Sequence, residues 1–492
     1  MKLFAPHATD FYKPGHARQY PPGTELVYSN MTPRSARHAA TGVLPDFDGK
    51  LLWLGLQGAV AWLIEDLWST TFFSQPRDSV LRRIKRRMDL SLGVNAVDVE
   101  GTFGKLHDLG YMPLEIRSLA EGQYVPMRVP LYTLHNTKPE FYWLTNYVES
   151  QLSANGWKTP TVATFASEAR RLLIRYAEQT GTDVAFVDWQ SHDFSMRGMS
   201  GIHDAASSGI GHLLNFRGTD NVLAIDYVED YYLHTFKYSD TPGSVPASEH
   251  SVACMHGKVS EIDGFAHLLN LYPAGTVSIV SDTWDFWRVM TEYTVTLKDK
   301  IMARNGKTVF RPDSGDPVKI ICGDPAAPAG SPAQRGAVEC LWEIFGGTTT
   351  ATGHRLLDEH VGLIYGDSIT LPRMWAILEG LKKKGFASGN IVFGVGSYTY
   401  NLMTRDTFGI AMKATYGIVD GEGRELYKDP VTDDGTKKSA RGLLRVEREN
   451  GELVLYDQQT WEQQKQGELN LLYRNGWMVQ DSWERIKKRM RL

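Results

Sequence analysis

GLIYGDSITLPRMWAILEGLKKKG (Gly362–Gly385) decides the fold class. A short apolar run stops at Gly366-Asp367, Ser368 is placed to cap a helix, and Leu371, Met374, Trp375, Leu378 and Leu381 then recur at helical spacing. Lys382 to Lys384 suit the negative end of that helix, and Gly385 can stop it. The unit reads strand, polar turn, helix. The same rhythm recurs from about Thr182 onward. Val184–Val187 leads to SHDFSMRG, Thr276–Val280 to Ser281-Asp282, Lys307–Phe310 to RPDSGD, and Ile391–Phe393 to GVGS. Repeated strand–helix units require parallel strands with helical crossovers, hence an α/β barrel or a doubly wound sheet. In both, functional groups collect where strands end, which is where these polar clusters fall.

On either side the rhythm is different. Before about Pro160, VYSNM (Val27–Met31) and EIRSLAEGQYV (Glu115–Val125) read as sheet segments, and Leu51 to Trp68 as a mostly buried helix. The basic run Arg82 to Arg87 continues a helical pattern and lacks the aromatic interleaving of a nucleic-acid surface, so it reads as a solvated face. After Ala411 mixed strands return, ending in a basic helix near Trp483–Arg491. Between Gly323 and Arg355 the chain is rich in Pro, Ala, Gly and Thr, giving two surface loops around a short helix at Val338–Phe345. A lid and an inert insertion are both open readings of it.

Composition narrows the class. At 492 residues the chain exceeds what one core usually organises, and 53 Lys plus Arg against 57 Asp plus Glu argue against a dedicated nucleic-acid binder. The longest apolar stretch, Leu51 to Ile64, is too short to span a bilayer, and MKLFAPHATD lacks the apolar core of a secretion signal. Three cysteines without a CxxC pair indicate neither a disulfide framework nor a cysteine zinc site. The expectation is a soluble, cytoplasmic enzyme with no membrane or nucleic-acid partner.

Three clusters carry candidate chemistry. RPDSGDP (Arg311–Pro317) sets an Arg and two acids at a strand end, fit either for an anionic or carbonyl substrate beside a hydrated metal or for a structural Arg–Asp pair. Gly394-Val395-Gly396-Ser397 could surround a phosphate with backbone N–H groups or form a tight turn. Thr404-Arg405-Asp406 and Gly366-Asp367 would add a cation and an acid for a phosphorylated sugar, and Asp282 a metal or ribose contact. Acids at separate strand ends suit Mg²⁺, which takes oxygen ligands and keeps part of its water. His250, next to Glu249 in SVPASEH (Ser244–His250), reads as a general base, a phosphate-accepting nucleophile or an interior residue. His192, His203 and His212 read as structural. Phe194, Tyr12 and Phe11 could clamp a flat heteroaromatic ring.

Taken together, DFYKPGHARQYPPGTELVYSNMTPR (Asp10–Arg34), YWLTNYVES (Tyr142–Ser150), HDFSMRG (His192–Gly198), NFRGTD (Asn215–Asp220), SVPASEH, VSDTWD (Val280–Asp285), RPDSGDP, YGDS, TRD and YKDPVTDD (Tyr427–Asp434) closely resemble the nicotinamide phosphoribosyltransferases, in family order from about Asp10 to Gly442. The resemblance implies the type II phosphoribosyltransferase fold. That is an irregular (β/α) barrel over residues 182–402, with an insertion at about 323–356, plus an α+β domain formed by residues 1–181 and 403–492. It implies synthesis of nicotinamide mononucleotide and pyrophosphate from nicotinamide and phosphoribosyl pyrophosphate, with Mg²⁺, in NAD salvage by a head-to-tail homodimer.

By the same resemblance, nicotinamide lies between Phe194 and Tyr12 of a second subunit, with Arg311 at the carboxamide, Asp220 accepting from its NH₂, Ser244 at the tunnel mouth and Asp10 approaching from the partner. Asp282 and Asp313 position Mg²⁺ through water. Gly366, Asp367, Gly396 and Ser397 hold the ribose phosphate, and Arg197, Arg405, Lys413, Lys428 and Arg34 neutralise pyrophosphate. His250, oriented by Asp282 and Glu249, matches a histidine phosphorylated by ATP as co-substrate. Three departures stand out. Ser397 replaces a glycine of the phosphate loop, Ala411 replaces a serine that reaches phosphate, and the insertion after Cys322 has no close counterpart. The alternatives are a nicotinate phosphoribosyltransferase of the same fold and a non-catalytic binding protein on this scaffold.

Overall fold

The computed structural model describes residues 3–39, 48–427 and 440–490. In chain order, the strands of its two large sheets are β1 (Thr24–Thr32), β2 (Leu114–Ser118), β3 (Tyr132–Asn136), β4 (Ser191–Asp193), β5 (Gly218–Thr219), β6 (Val277–Val280), β7 (Thr308–Arg311), β8 (Val361–Tyr365), β9 (Ile391–Val395), β10 (Ala411–Val419), β11 (Glu422–Glu425), β12 (Asn470–Arg474) and β13 (Trp477–Met478).

The middle of the chain builds a parallel sheet in the order β5-β4-β9-β8-β7-β6. Its strands are short apolar runs such as VSIV and VGLIY, buried along their whole length, as expected of strands covered on both faces. The sheet curls, and residues 243–248 close the curl. The Thr219 N–H donates to the Gly243 carbonyl at 2.9 Å, and the Ser248 N–H donates to the Ser278 carbonyl, also at 2.9 Å. Pro246 lacks an N–H, so this closing edge makes isolated bridges rather than a regular strand. The result is an irregular barrel.

Chain from both sides of the barrel forms an antiparallel sheet in the order β11-β10-β1-β3-β2-β12-β13. Its central β1 buries Val27, Tyr28 and Met31 almost completely. The helix α1 (Lys158–Thr180) is buried over most of its length. It packs against the helix Ile202–Leu213 at Gly211, where a Cβ would stand 2.7 Å from the Ala163 nitrogen, so glycine permits close backbone approach there. No helix among the described residues is long and apolar enough to cross a membrane. All three cysteines are free.

Several local readings change. Val184–Val187 is helical rather than extended, because the Asp183 carboxylate accepts from the Ala185 N–H at 2.9 Å and starts a turn; the strand begins at Ser191. Leu51–Leu52 pair with Tyr124–Val125 as strands, and the helix starts at Leu56 after Gly55, whose φ of +107° suits glycine. From Trp62 to Phe73 that helix is π-helical. The helix α2 (Leu371–Lys383) is capped by the Thr370 hydroxyl rather than by Ser368. Its buried face is Leu371, Met374, Ile377, Leu378 and Leu381, while Trp375 turns to solvent. The insertion is clasped at its neck: the Asp324 N–H donates to the Ala333 carbonyl at 2.8 Å, and the Lys384 ammonium donates to the Cys322 carbonyl at 2.9 Å. Those contacts seat its neck against α2, while Gly347, Thr348 and Leu356 at its far end line a cavity in the barrel.

Candidate active site

The carboxyl ends of the parallel strands gather the polar clusters. After β6 comes Asp282, after β7 the RPDSGDP loop, after β8 Gly366-Asp367, after β9 Gly396-Ser397, and after β4 Phe194. Hydrogen bonds to backbone carbonyls stitch these loops together. The Phe194 N–H donates to the Val395 carbonyl at 2.8 Å, the Thr399 hydroxyl to the Ile369 carbonyl at 2.5 Å, and the Tyr365 hydroxyl to the Gly315 carbonyl at 2.9 Å. Gly394 has a steric reason. A Cβ there would stand 2.7 Å from the Phe194 ring and 2.8 Å from the Gly366 Cα.

An acidic group forms the first part of the site. The His250 Nε2 lies 3.0 Å from the Asp282 Oδ1, and the Asp313 N–H donates to the Asp282 Oδ2 at 2.8 Å. Burial acts most strongly on Asp282 and would raise its pKa, but bonds from Ser314, the Asp313 N–H and His250 together hold it below the ordinary carboxylate value. Asp313 goes the other way. Burial is the largest influence and, with Asp282 and Asp367 nearby, lifts its pKa despite the opposing Arg311. The buried Asp313 Oδ1 has no hydrogen-bond partner, and the Arg311 Nε is 3.6 Å away. Among the described residues no three His, Cys, Asp or Glu side chains converge to hold a metal ion. Two neighbouring carboxylates with one unsatisfied buried oxygen nevertheless fit Mg²⁺ bound through water and substrate oxygens. Glu249 is exposed and accepts from the Ser251 hydroxyl.

An aromatic and carboxylate group forms the second part. The His192 Nε2 lies 2.9 Å from the Asp220 Oδ1, and the His192 and Phe194 rings are 4.7 Å apart at 45°. Burial pushes Asp220 up, but bonds from His192 and Ser244, together with the charge of Arg311, leave its pKa below the ordinary value. Arg311 itself is buried and donates to the Ser248 carbonyl. His192, Phe194 and Ser244 line a cavity of about 800 Å³ that runs through the barrel to Thr182, Asp183, Lys307 and Asp358. That is ample for a single pyridine ring, whose long axis it could follow.

The candidate cations lie on separate segments. Arg197 is exposed on the turn after Phe194, and Arg405 is exposed eight residues beyond Ser397. The Arg34 Nε donates to the Gly409 carbonyl at 2.8 Å, which brings Arg34 onto the Arg405 loop. Lys413 is exposed on β10, paired with Asn30 of β1. Among the described residues no ion pair holds Arg197, Arg405 or Lys413. Lys428 lies outside the described residues. Ser397 packs on Gly198, where a Cβ would stand 2.7 Å from that of Ser397. Ala411 is buried and pairs with Thr32.

Asp10 and Tyr12 lie apart from this group. Asp10 accepts from the Ser150 hydroxyl, Tyr12 touches the His16 ring at 5.3 Å, and no ring contact joins Tyr12 to Phe194 among the described residues. Tyr12 and Phe11 are 58% and 50% exposed, far more than unpartnered aromatics usually are.

Three groups that the sequence did not single out take part. Lys158, buried at the start of α1, donates to Asp204 and to the Asn401 amide oxygen at 2.6 Å each, beneath the Ser397 turn. The Asn401 amide donates to the Gly198 carbonyl at 2.9 Å. His192, read as structural, reaches Asp220. Nothing local in the sequence marks any of them, because their partners lie far away along the chain.

The chain as a whole matches a known group. The model of the nicotinate phosphoribosyltransferase (NAPRTase) family matches residues 189–471. A nicotinamide phosphoribosyltransferase of Acinetobacter baylyi is 57% identical over 98% of this chain and 96% of its own length. The chain belongs to the nicotinate phosphoribosyltransferase family. It is a phosphoribosyltransferase, an enzyme of the pentosyltransferase class. A nicotinamide phosphoribosyltransferase of Mycoplasma pneumoniae is 33% identical over 88% of this chain and 94% of its own. In fold, the chain is similar to the nicotinate-nucleotide pyrophosphorylase of Pyrococcus furiosus, with a TM-score of 0.55 over the full length of both at 14% identity. It is similar also to human nicotinic acid phosphoribosyltransferase, with a TM-score of 0.51 over 98% of this chain and 93% of the other, again at 14% identity.

Proposed function

We propose that this enzyme transfers the phosphoribosyl group of phosphoribosyl pyrophosphate to the ring nitrogen of nicotinamide, releasing pyrophosphate, as a step of NAD salvage. One observation carries the reading. Asp220, its carboxyl pKa held below the ordinary value, lies 2.9 Å from His192, whose ring packs against Phe194 and lines the barrel cavity with it. A fixed carboxylate there accepts from an amide NH₂ and repels the carboxylate of nicotinate, so selection works by repulsion as well as attraction.

The rest of the site suits the reaction. Phe194 offers a flat face on which the pyridine aligns, giving proximity rather than proton transfer. The buried Arg311 can donate to the carboxamide oxygen. Breaking the bond from ribose C1 to pyrophosphate leaves a cationic sugar and a strongly anionic leaving group. Asp282, Asp313 and Asp367 favour the former, while Arg197, Arg405, Lys413 and Arg34 favour the latter. Mg²⁺, when bound, would be held by Asp282 and Asp313 and supplies positive charge to the leaving pyrophosphate.

Two further parts belong to this reading. The half-exposed His250, paired with Asp282, would accept a phosphoryl group from ATP and couple its hydrolysis to substrate binding. A second copy of the chain would present Tyr12 and Asp10 to Phe194, which gives the exposed Phe11–Tyr12 pair a partner. The deciding experiment is product identification by mass spectrometry after incubation with phosphoribosyl pyrophosphate, Mg²⁺ and each pyridine, with and without ATP. Nicotinamide mononucleotide as the main product supports the proposal. Equal or better use of nicotinate refutes it.

A further inference from the structure

We propose that His192 is a specificity-determining residue, which acts by holding Asp220 as an oriented, ionised acceptor for the pyridine amide; this rests on the nicotinamide reading above. The geometry is over-determined. His192 sits on β4 directly beside Gly218 of β5 in the parallel register. Its ring crosses that strand because Gly218 has no side chain: a Cβ there would stand 2.8 Å from the His192 Nδ1. The ring continues to the Asp220 Oδ1 at 2.9 Å, while the Asp220 backbone N–H donates to the Asp193 carbonyl at 2.9 Å. Since an ionised carboxylate only accepts, the bond is Nε2–H to Oδ1. Both main chain and side chain of Asp220 are therefore tied to β4, the strand that Phe194 directly follows.

The consequence is orientational and electrostatic. An aspartate on a strand-end loop rotates freely unless one oxygen is fixed. His192, which lines the cavity with Phe194, fixes one and leaves acceptor capacity on a carboxylate that is 43% exposed. The ring also lies against Phe194, 4.7 Å between centroids, so it backs the aromatic surface as well as the acceptor. The groups that face His192 are Phe194 just beyond its own strand, Gly218 of β5 and Asp220 just beyond it, and His212 from the helix beneath. A second hydrogen bond to Asp220 comes from Ser244 on the closing edge of the barrel. A residue that tunes the acceptor through a hydrogen bond, without touching the reacting atoms, is a positioning residue.

The test measures kcat/KM for nicotinamide and for nicotinate at saturating phosphoribosyl pyrophosphate. His192→Phe keeps a ring and removes the donor, and it should lower the nicotinamide-to-nicotinate ratio about tenfold, the size expected for one hydrogen bond to a charged group. The loss should fall on the KM for nicotinamide, with the KM for phosphoribosyl pyrophosphate unchanged. His192→Gln, which keeps a donor, should restore most of the ratio. In an Asp220→Asn background, His192→Phe should move the ratio less than twofold, because the two residues act as one unit. Circular dichroism and melting confirm folding; if Phe is not tolerated, His192→Gln against His192→Met makes the same comparison. An unmoved ratio, a parallel loss on both pyridines, or an undiminished effect in the Asp220→Asn background overturns the inference. A wild type that prefers nicotinamide separates these results from failure of the functional reading. A wild type that converts neither pyridine overturns both.

Discussion

The His250 imidazole, 47% exposed, meets the 4% exposed Asp282 carboxylate with its Nε2 3.0 Å from Oδ1. The other oxygen of Asp282 accepts the Asp313 N–H at 2.8 Å, so the histidine and the loop of Asp313 share one carboxylate. Any new charge on the ring is felt two bonds away, at the candidate metal site. His250→Ala should therefore lower turnover and bring the ratio of rates with and without ATP to one. Initial rates with labelled ATP, together with acid-labile phosphate on the protein, check this; an unchanged ATP ratio in the variant refutes the phosphohistidine.

Asp313 and Gly366 face each other across adjacent strand ends. A Cβ on Gly366 would overlap the Asp313 Oδ1. Gly366 does not have the positive φ that demands glycine, so the constraint is room for that carboxylate. Gly366→Ala should displace Asp313 and cut kcat about a hundredfold with little change in melting temperature. A Gly366→Ala enzyme with full activity would show that Asp313 is not held in a working position.

Burial raises the Asp313 pKa above 3.8, which signals that its ionised form is uncomfortable in the folded protein. A group with a raised folded pKa contributes its stability below the unfolded value and loses it as pH rises through the folded one. Asp313→Asn should consequently melt about 2 °C higher than wild type at pH 7 without Mg²⁺ while losing activity, and the gap should close as pH falls toward 4. Differential scanning calorimetry across that range decides it. A variant that melts lower at neutral pH contradicts the sign.

Lys158 is 6% exposed and joins Asp204 to Asn401 under the Ser397 turn. Its removal leaves the partly buried Asp204 carboxylate with the Ser200 N–H but without its cation, so Lys158→Met should destabilise by about 2 kcal/mol and raise the KM for phosphoribosyl pyrophosphate more than that for nicotinamide. Urea unfolding and substrate kinetics measure the two effects. Equal shifts in both KM values would mean that Lys158 supports the barrel in general rather than the Ser397 loop.

Phe194 and Tyr12 stand on parts of the chain that do not touch each other within one copy. A shared site predicts that Phe194→Ala and Tyr12→Ala subunits, each nearly inactive alone, recover up to about a quarter of wild-type activity when mixed, since one intact site forms in each mixed dimer. Co-purification through two different tags verifies mixing. Mixed dimers without recovery would place Tyr12 outside the site.

Most of the strand ends were readable because each is a local event. A short apolar run followed by Gly, Asp or Ser is written within ten residues, and VSIV, TVFR, VGLIY and IVFGV all became adjacent parallel strands. Reading failed where a local competitor decided the outcome. Asp183 turned a β-branched run into helix, and Thr370 displaced Ser368 as a cap because Ser368 takes a φ of +51°. The carboxylates and cations of RPDSGDP, YGDS and TRD were legible as chemistry, while their neighbours were not. Lys158 meets Asn401 across 243 residues, and His192 meets Asp220 only because parallel pairing sets Gly218 beside it.

By itself, then, the amino-acid order determined the alternation of buried strand and helix, the charge inventory at the strand ends, and the absence of any cysteine framework. Those are properties of periodicity and residue type, which act over a few positions. The folded chain alone decided that residues 243–248 close the barrel, that Asp282 is shared by His250 and Asp313, and that His192 meets Asp220 beside Gly218. Hydrogen bonds and close packing reach only a few ångströms, so which distant groups they join depends on the curl of the sheet rather than on any one segment of it.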